Sequence, residues 1–371
     1  MSKIVFHSPL EVMRPGLSGS AVRPLKILEA FQAIGLEVVL CDGASGERLN
    51  KIKDAISLNG SSDVIGIYSE LATLPLALTD PDHLPRALNA DFRLFQRARS
   101  EGIPVAAFYR DLHWRFPEYA SGKSRWKEIV KLPFHHLEVW QLYRSVDHVF
   151  LPSTEMADYM PGNFKACHSS ALPPGSPAIK EFKENPQQGC SKLNLLYIGG
   201  VVPPLYNLDM MFRAVGGLSG VNFTLCCREQ EWRLGKAEYP PISNVSIVHQ
   251  HGEALSKLYE KADIFLMAFE PTEYMNFAMP VKLFEAIGWG LPIIASTDSA
   301  AGNFVKTEGC GWTVGSQQEL SDLITRLKSR PELVTQMKTQ VRKARDRHTW
   351  NARAAQVLKV LERYRIQGLR K

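Results

Sequence analysis

YMNFAMPVKLFEAIGWGLPIIAS, residues 274–296, reads as a loop, a helix entered near Met279-Pro280, and a buried strand. A proline in the first helical turn leaves the free backbone N–H groups of that turn pointing out of the helix end, an arrangement that suits a diphosphate. Lys282 falls in the same turn and adds a full positive charge. Glu285 follows three residues later on roughly the same helix face, where a carboxylate can accept two hydroxyl groups. Gly288 and Gly290 let helix and strand pack closely. The same spacing also describes an ordinary ion pair on the surface of an amphipathic helix, and spacing alone leaves both readings open.

Outward from this segment, strand-like runs recur with helical stretches between them, the pattern of parallel sheets covered by helices. The first half reads IVFHS (4–8), LEVVLC (36–41), DVIGIYS (63–69), PVAAFY (104–109) and DHVFLPS (147–153) as strands. Between the first two lies SGSAVRPLKILEAFQAIG, a helix that Ser18 or Ser20 can cap and Gly35 can end, with an apolar face of Leu25, Leu28, Phe31 and Ile34. A second series follows ALPPGSP (171–177): LNLLYIGG (193–200), VNFTLCC (221–227), NVSIVHQ (244–250), DIFLMAF (263–269), LPIIAS (291–296) and GWTV (311–314). The last forty or so residues read as helices broken at Arg330-Pro331 and near 348–350. The prolines at 173, 174 and 177 mark a hinge, which predicts an N-terminal Rossmann-like domain over 1–172, a C-terminal one over 173–345, and a closing helix over 346–371 that packs back toward the first. The expected class is α/β, with two Rossmann-like domains facing across a cleft where open sheets bind ligands.

A chain of 371 residues, 45% of them hydrophobic, is long enough for two cores. It contains no apolar run of the roughly 20 residues a membrane-crossing helix needs, and its start goes straight into a strand pattern, which leads to the expectation of a cytoplasmic protein. Six cysteines without a CxxC pair imply neither a disulfide framework nor a zinc site. The net charge of +6 is unevenly placed: residues 1–175 carry 19 basic and 19 acidic side chains, whereas 326–371 carry 14 Lys or Arg against three acids. Such a terminal helix can meet anionic lipid or phosphorylated substrates, or be a solvated face.

The 274–296 stretch resembles the donor-binding helix of GT-B glycosyltransferases, bacterial family-4-like or glucuronosyltransferase-like, in the variant that reads Pro-x-Lys-x-x-Glu before a glycine turn and a strand. The resemblance implies a hexosyltransferase that uses a nucleotide sugar, UDP- or GDP-linked, with Lys282 on the diphosphate and Glu285 on the ribose. It further implies Gly200 at the end of YIGG, Arg228 after VNFTLCC in place of the basic residue that VVPPLYN lacks, and His249 beside the base. Many retaining members carry a glutamate eight residues before the ribose-binding one; here that position is Phe277, and its role either passes to the backbone of Asn276, Phe277, Ala278 and Met279 or is absent. This departure leaves retention and inversion both open, with a slight lean to inversion.

Transfer needs a base for the acceptor hydroxyl, and FYRDLHWRFPEY (108–119) offers Asp111 first and His113 second; Asp111 could instead pair with Arg110 or Arg115. In the loop RPGLSGSAVRP (14–24), Gly19 is the residue that would approach the donor, as the resemblance implies. A dinucleotide fingerprint is excluded because Val22 stands where the third glycine belongs, and Asp42 is the one acidic ribose candidate after the second strand. Asp80-Pro81-Asp82 matches a metal-binding DxD only superficially, and His249 with His251 lack further ligands, so no metal is expected. Residues 123–144 mix Lys123, Arg125, Lys127 and Lys131 with Trp126, Phe134 and Trp140, which suits either the headgroup layer of an anionic membrane or a core helix with a solvated flank. The expected partners are a nucleotide sugar and a glycan or lipid-linked acceptor, with peripheral membrane contact and no nucleic acid, in assembly of a glycan such as a cell-surface polysaccharide. Two alternatives remain, a nucleotide-sugar 2-epimerase-like isomerase and an inactive nucleotide-sugar-binding module.

Overall fold

A computed structural model describes residues 2–13, 19–57, 63–116, 125–162, 164, 168–177, 192–203, 205–270 and 272–368. The chain divides into two compact units, one of Met1–Pro173 with Trp350–Lys371 and one of Pro174–Thr349.

The first unit contains the strands β1 (Lys3–Ser8), β2 (Glu37–Asp42), β3 (Val64–Glu70), β4 (Val105–Phe108), β5 (His148–Leu151) and β6 (Ser169–Ala171), with helices α1 (Gly19–Ala33), α2 (Ser45–Ser57), α3 (Ala90–Ser100), α4 (Arg125–Ser145) and α5 (Met156–Tyr159) between them. The strands form one parallel sheet in the order β2-β1-β3-β4-β5-β6. Parallel strands covered on both faces are apolar throughout rather than alternating, and every residue of β3, β4 and β5 is buried. Of the apolar face expected on α1, Leu28 and Phe31 are buried and Leu25 and Ile34 lie at the margin of the core; Ile27 and Ala30 complete it. The strand β6 has no counterpart among the runs read from sequence, since three half-buried small residues give no hydrophobic signal.

The second unit holds β7 (Leu193–Ile198), α6 (Asp209–Val215), β8 (Val221–Cys226), α7 (Glu229–Gly235), β9 (Val245–Val248), α8 (Leu255–Lys261), β10 (Ile264–Met267), α9 (Val281–Gly288), β11 (Ile293–Ser296), α10 (Ala300–Glu308), β12 (Gly311–Val314), α11 (Gln317–Ser329) and α12 (Pro331–Ala344). Its sheet is also parallel, in the order β12-β11-β10-β7-β8-β9. This is the strand order of a dinucleotide-binding Rossmann domain, with the direction of winding reversed between β7 and β10. Ser299 and Ser316 cap α10 and α11 by accepting the N–H of Gly302 and Glu319.

The last helix, α13 (Trp350–Gly368), packs on α1, β3 and β4 of the first unit. Trp350, Ala354, Val357 and Leu361, at spacings of four, three and four, enter its core. Gly66 in β3 makes room for this helix: a Cβ there would lie 2.9 Å from the Leu361 side chain. Cys41, Cys226, Cys227 and Cys310 are buried free thiols, and burial pushes Cys41, Cys227 and Cys310 up to about 12. Cys167 and Cys190 lie outside the described residues.

Candidate active site

In the second unit the chain leaves β7 toward β8 and β9, then returns to the other side of β7 at β10. Crevices beyond the carboxyl ends of strands at such a reversal are where open sheets bind ligands. The helix α9 begins on this side of the sheet, after β10. Pro280 takes the position just before the helix, with φ −71° and ψ 137°, and no side chain caps the end. The helix thus starts one residue later than the sequence reading placed it, and its first-turn N–H groups carry the positive end of the helix dipole without an internal anion.

Lys282 and Glu285 are partly exposed on this helix, and Lys282 Nζ donates to Glu285 Oε2 at 2.6 Å. The Tyr259 hydroxyl donates to the same oxygen at 2.9 Å, and its ring stacks on Trp289 with centroids 5.7 Å apart and planes 8° apart. Burial and the adjacent Glu285 hold the Tyr259 hydroxyl well above the usual phenol range, so it remains a donor. Both bonds converge on one carboxylate oxygen, which leaves Oε1 as acceptor capacity. Lys282 also lowers the Cys226 thiol, against a larger upward effect of burial, which places its charge near the carboxyl end of β8. There the Cys226 Sγ donates to the Gln250 carbonyl at 3.4 Å, and His249 Nδ1 lies 2.9 Å from the Cys227 carbonyl. An uncapped helix end, an ammonium group and an oriented carboxylate therefore meet at the switch point of the sheet.

In the first unit, Asp111 and His113 follow β4. Asp111 Oδ1 accepts the His113 backbone N–H at 3.0 Å, which opens a short 3-10 turn over His113–Arg115. The His113 ring meets His135 edge to face at 5.9 Å, and Trp114 stacks on His135 at 4.9 Å. Burial, with His113, Lys131 and His136 nearby, pushes His135 down to about 3. Asp111 is half-buried and hydrogen-bonded into its turn, and His113 is tied to an uncharged imidazole.

A family profile described as Glycosyl transferase-like matches residues 209–359, less than half of the chain. No curated protein matches it. Among solved structures, sucrose-phosphate synthase (tll1590) from Thermosynechococcus elongatus is 14% identical with a TM-score of 0.63, over 98% of this chain and 99% of that one. Anabaena Alr3699/HepE in complex with UDP-glucose is 14% identical with a TM-score of 0.62, over 97% and 99%. WaaG, a glycosyltransferase involved in lipopolysaccharide biosynthesis, is 13% identical with a TM-score of 0.55, over 97% and 99%. The fold is GT-B. At these identities the likeness is one of fold.

Within this GT-B chain the other expected contacts fall unevenly. The Phe277 side chain is 1% exposed and edge-on to Tyr274 at 5.0 Å, so only its backbone could meet a ligand. Asn276, Ala278 and Met279 are partly buried in the same approach to α9. Arg228 stands at the carboxyl end of β8, but its guanidinium is exposed and pairs with Glu231 at 2.8 Å, as a surface arginine would. At the end of β7, the Gly200 carbonyl accepts the Tyr197 hydroxyl at 2.7 Å, and a Cβ on Gly200 would lie 2.3 Å from the Tyr206 ring. Tyr206, the tyrosine of VVPPLYN, thus packs directly against Gly200. Gly19 is the first residue of α1, while 14–18 of its loop lie outside the described residues.

The acidic residues weighed for other roles have local partners. Asp80 accepts both the backbone N–H and the hydroxyl of Ser45, at 2.7 and 2.6 Å, at the start of α2; Asp82 bonds Leu84 N–H and pairs with Arg86. Asp42 accepts the Val12 N–H and pairs with Lys51. Among the described residues no group of three or more His, Cys, Asp or Glu is placed to hold a metal. A concavity of about 580 Å³ lies beside β12, lined by Lys306, Trp312, Glu319 and Arg326 among others. It sits at the sheet edge, three strands from β7, whereas the charge and helix-end geometry point to the switch point.

Proposed function

We propose that the protein transfers a sugar from a UDP- or GDP-linked donor to a glycan or lipid-linked acceptor, without a metal ion. The observation that carries this reading is the Lys282–Glu285 pair at the uncapped start of α9, beside the β7–β10 reversal. The diphosphate would take the first-turn N–H groups and Lys282, which exchanges its bond with Glu285 for the stronger charge of the phosphates. The freed Glu285, still held by Tyr259, would accept the ribose hydroxyls. Stabilisation of the departing diphosphate by the helix end and the ammonium group takes the place of a cation. The complex of HepE with UDP-glucose supports UDP over GDP.

Asp111 is proposed as the base that removes the acceptor proton, with His113 second. On α4, Trp126, Ile129, Val130 and Trp140 are 76, 52, 64 and 52% exposed, and residues 126, 129, 130 and 140 share one helical face. This face supports a peripheral contact with an anionic membrane, where a lipid-linked acceptor resides.

Titration calorimetry with UDP, GDP and their sugars tests the donor assignment. Wild type should bind one nucleotide class, and Glu285→Ala should weaken it by about tenfold or more, since a hydrogen bond to a charged group contributes about 1.5–3 kcal/mol. Unchanged affinity in the variant would remove the assignment. Following a sugar nucleotide alone by NMR separates the isomerase alternative, which would convert the donor with no acceptor present.

A further inference from the structure

The first unit buries a guanidinium whose outer nitrogens are unsatisfied. Arg23 of α1 is 4% exposed. Its guanidinium carbon lies 3.5 Å above the centre of the Phe108 ring and 5.8 Å from that of Trp350. Its Nε donates to Glu70 Oε1 at 2.6 Å, while Glu70 Oε2 takes the Tyr68 hydroxyl at 3.2 Å. The carboxylate is therefore spent on the inner edge of the arginine and on the tyrosine. Nη1 and Nη2 are buried and meet no acceptor in hydrogen-bond geometry, although the Tyr68 hydroxyl lies near enough to strengthen the hold of Arg23 on its proton.

Such orphaned donors are rare in folded proteins, and each asks for a missing partner. A second guanidinium, that of Arg110 at the end of β4, feels Glu70, Arg23, Tyr68 and Asp111. Burial foremost, with the like charge of Arg23, depresses its affinity for its proton. Arg110 is partly exposed and immediately precedes Asp111 in the chain. With Arg23 paired to Glu70, and the charge of Arg110 close enough to be felt by both, two guanidinium groups suit the planar, two-pronged binding of an oxyanion.

We propose that Arg23 and Arg110 form a receptor for a single oxyanion, a phosphate or carboxylate borne by the acceptor, which seats that acceptor beside Asp111. The inference rests on the reading of Asp111 as the base. The oxyanion enters past Arg110 and completes the fork of Arg23, whose flat stacking on Phe108 leaves the in-plane nitrogens as the remaining donors.

Titration of the full chain with inorganic phosphate and, separately, with glucuronate tests this in the absence of any sugar nucleotide. Unfolding temperature and ³¹P line width report the phosphate, and calorimetry reports the glucuronate. Wild type should show saturable binding of at least one anion, and Arg23→Gln and Arg110→Gln should each weaken that site at least tenfold. Phosphate alone would identify a phosphorylated acceptor, and glucuronate alone an acidic sugar. If Arg23→Gln fails to fold, the partly exposed Arg110→Gln carries the test. No saturable binding in wild type, or binding unchanged in the variants, overturns the proposal. UDP or GDP titration of the same variants keeps the two readings apart, since failure of nucleotide binding sinks the donor assignment without touching the anion result.

Discussion

Glu285 shows what a single side chain reveals and withholds. Its spacing from Lys282 is local, so helix, charge and carboxylate could be read from 274–296 directly. The hydroxyl that orients it comes from Tyr259, 26 residues away, and nothing in the intervening sequence announces that pairing. Arg23 is a stronger case, because its carboxylate partner lies 47 residues distant across the sheet. Side chains whose role depends on such non-local partners are set by topology, which residue patterns constrain only coarsely. Asp111 is expected as the base from its place after a strand, and Asp111→Asn should cut transfer by about 10²- to 10⁴-fold while nucleotide affinity stays unchanged in calorimetry. Wild-type turnover would remove it from the reaction.

At the scale of elements, eleven strands were legible as apolar runs because both faces of each sheet are covered, and the three-residue β6 was not. The helix α4 is ambiguous in sequence between membrane surface and core, and in the structure it buries one face and exposes aromatic and aliphatic residues on the other. Its outer face exposes Trp126 and Trp140, while Glu138 is 4% exposed and accepts the Leu76 N–H. Burial, opposed by that hydrogen bond, pushes Glu138 up to about 8. Between the unfolded value near 4.5 and about 8 the folded state holds a proton that the unfolded state has lost, so this group lowers stability as pH rises through that window. Glu138→Gln, whose amide oxygen can keep the Leu76 bond, should gain on the order of 1–3 kcal/mol at pH 7.5 and nothing below pH 4.5, read by urea unfolding at both values. A gain that persists in acid would mean that packing, not charge, is responsible. For the outer face, flotation with anionic liposomes at low salt should recover the wild-type chain and lose about tenfold or more of a Trp126→Ser, Val130→Ser double variant, which removes two apolar anchors; equal recovery would end the membrane reading.

On the scale of the molecule, His7, His135 and His148 all lie in the first unit, and burial foremost lowers each of them, His135 to about 3 and His148 to about 4. Histidines depressed on folding contribute stability above their unfolded value of 6.5 that is lost as pH falls below it. Glu138 runs the opposite way, so the effect is cleanest in Glu138→Gln. From pH 7 to 5 that variant should lose thermal stability, with hydrogen exchange accelerating in β1, β4 and β5 before β7 and β8. The reverse order would refute the assignment.

The same unit is assembled from two separated pieces of chain, with Leu361 of α13 filling the space above Gly66. During synthesis the ribosome must therefore make the entire second unit before the helix that seals the first one emerges. Until then α1, β3 and β4 present a greasy, unsealed flank in the nascent polypeptide, whereas the second unit, continuous in sequence, can close by itself. The later-made half of the chain thus has what it needs to finish its own core first.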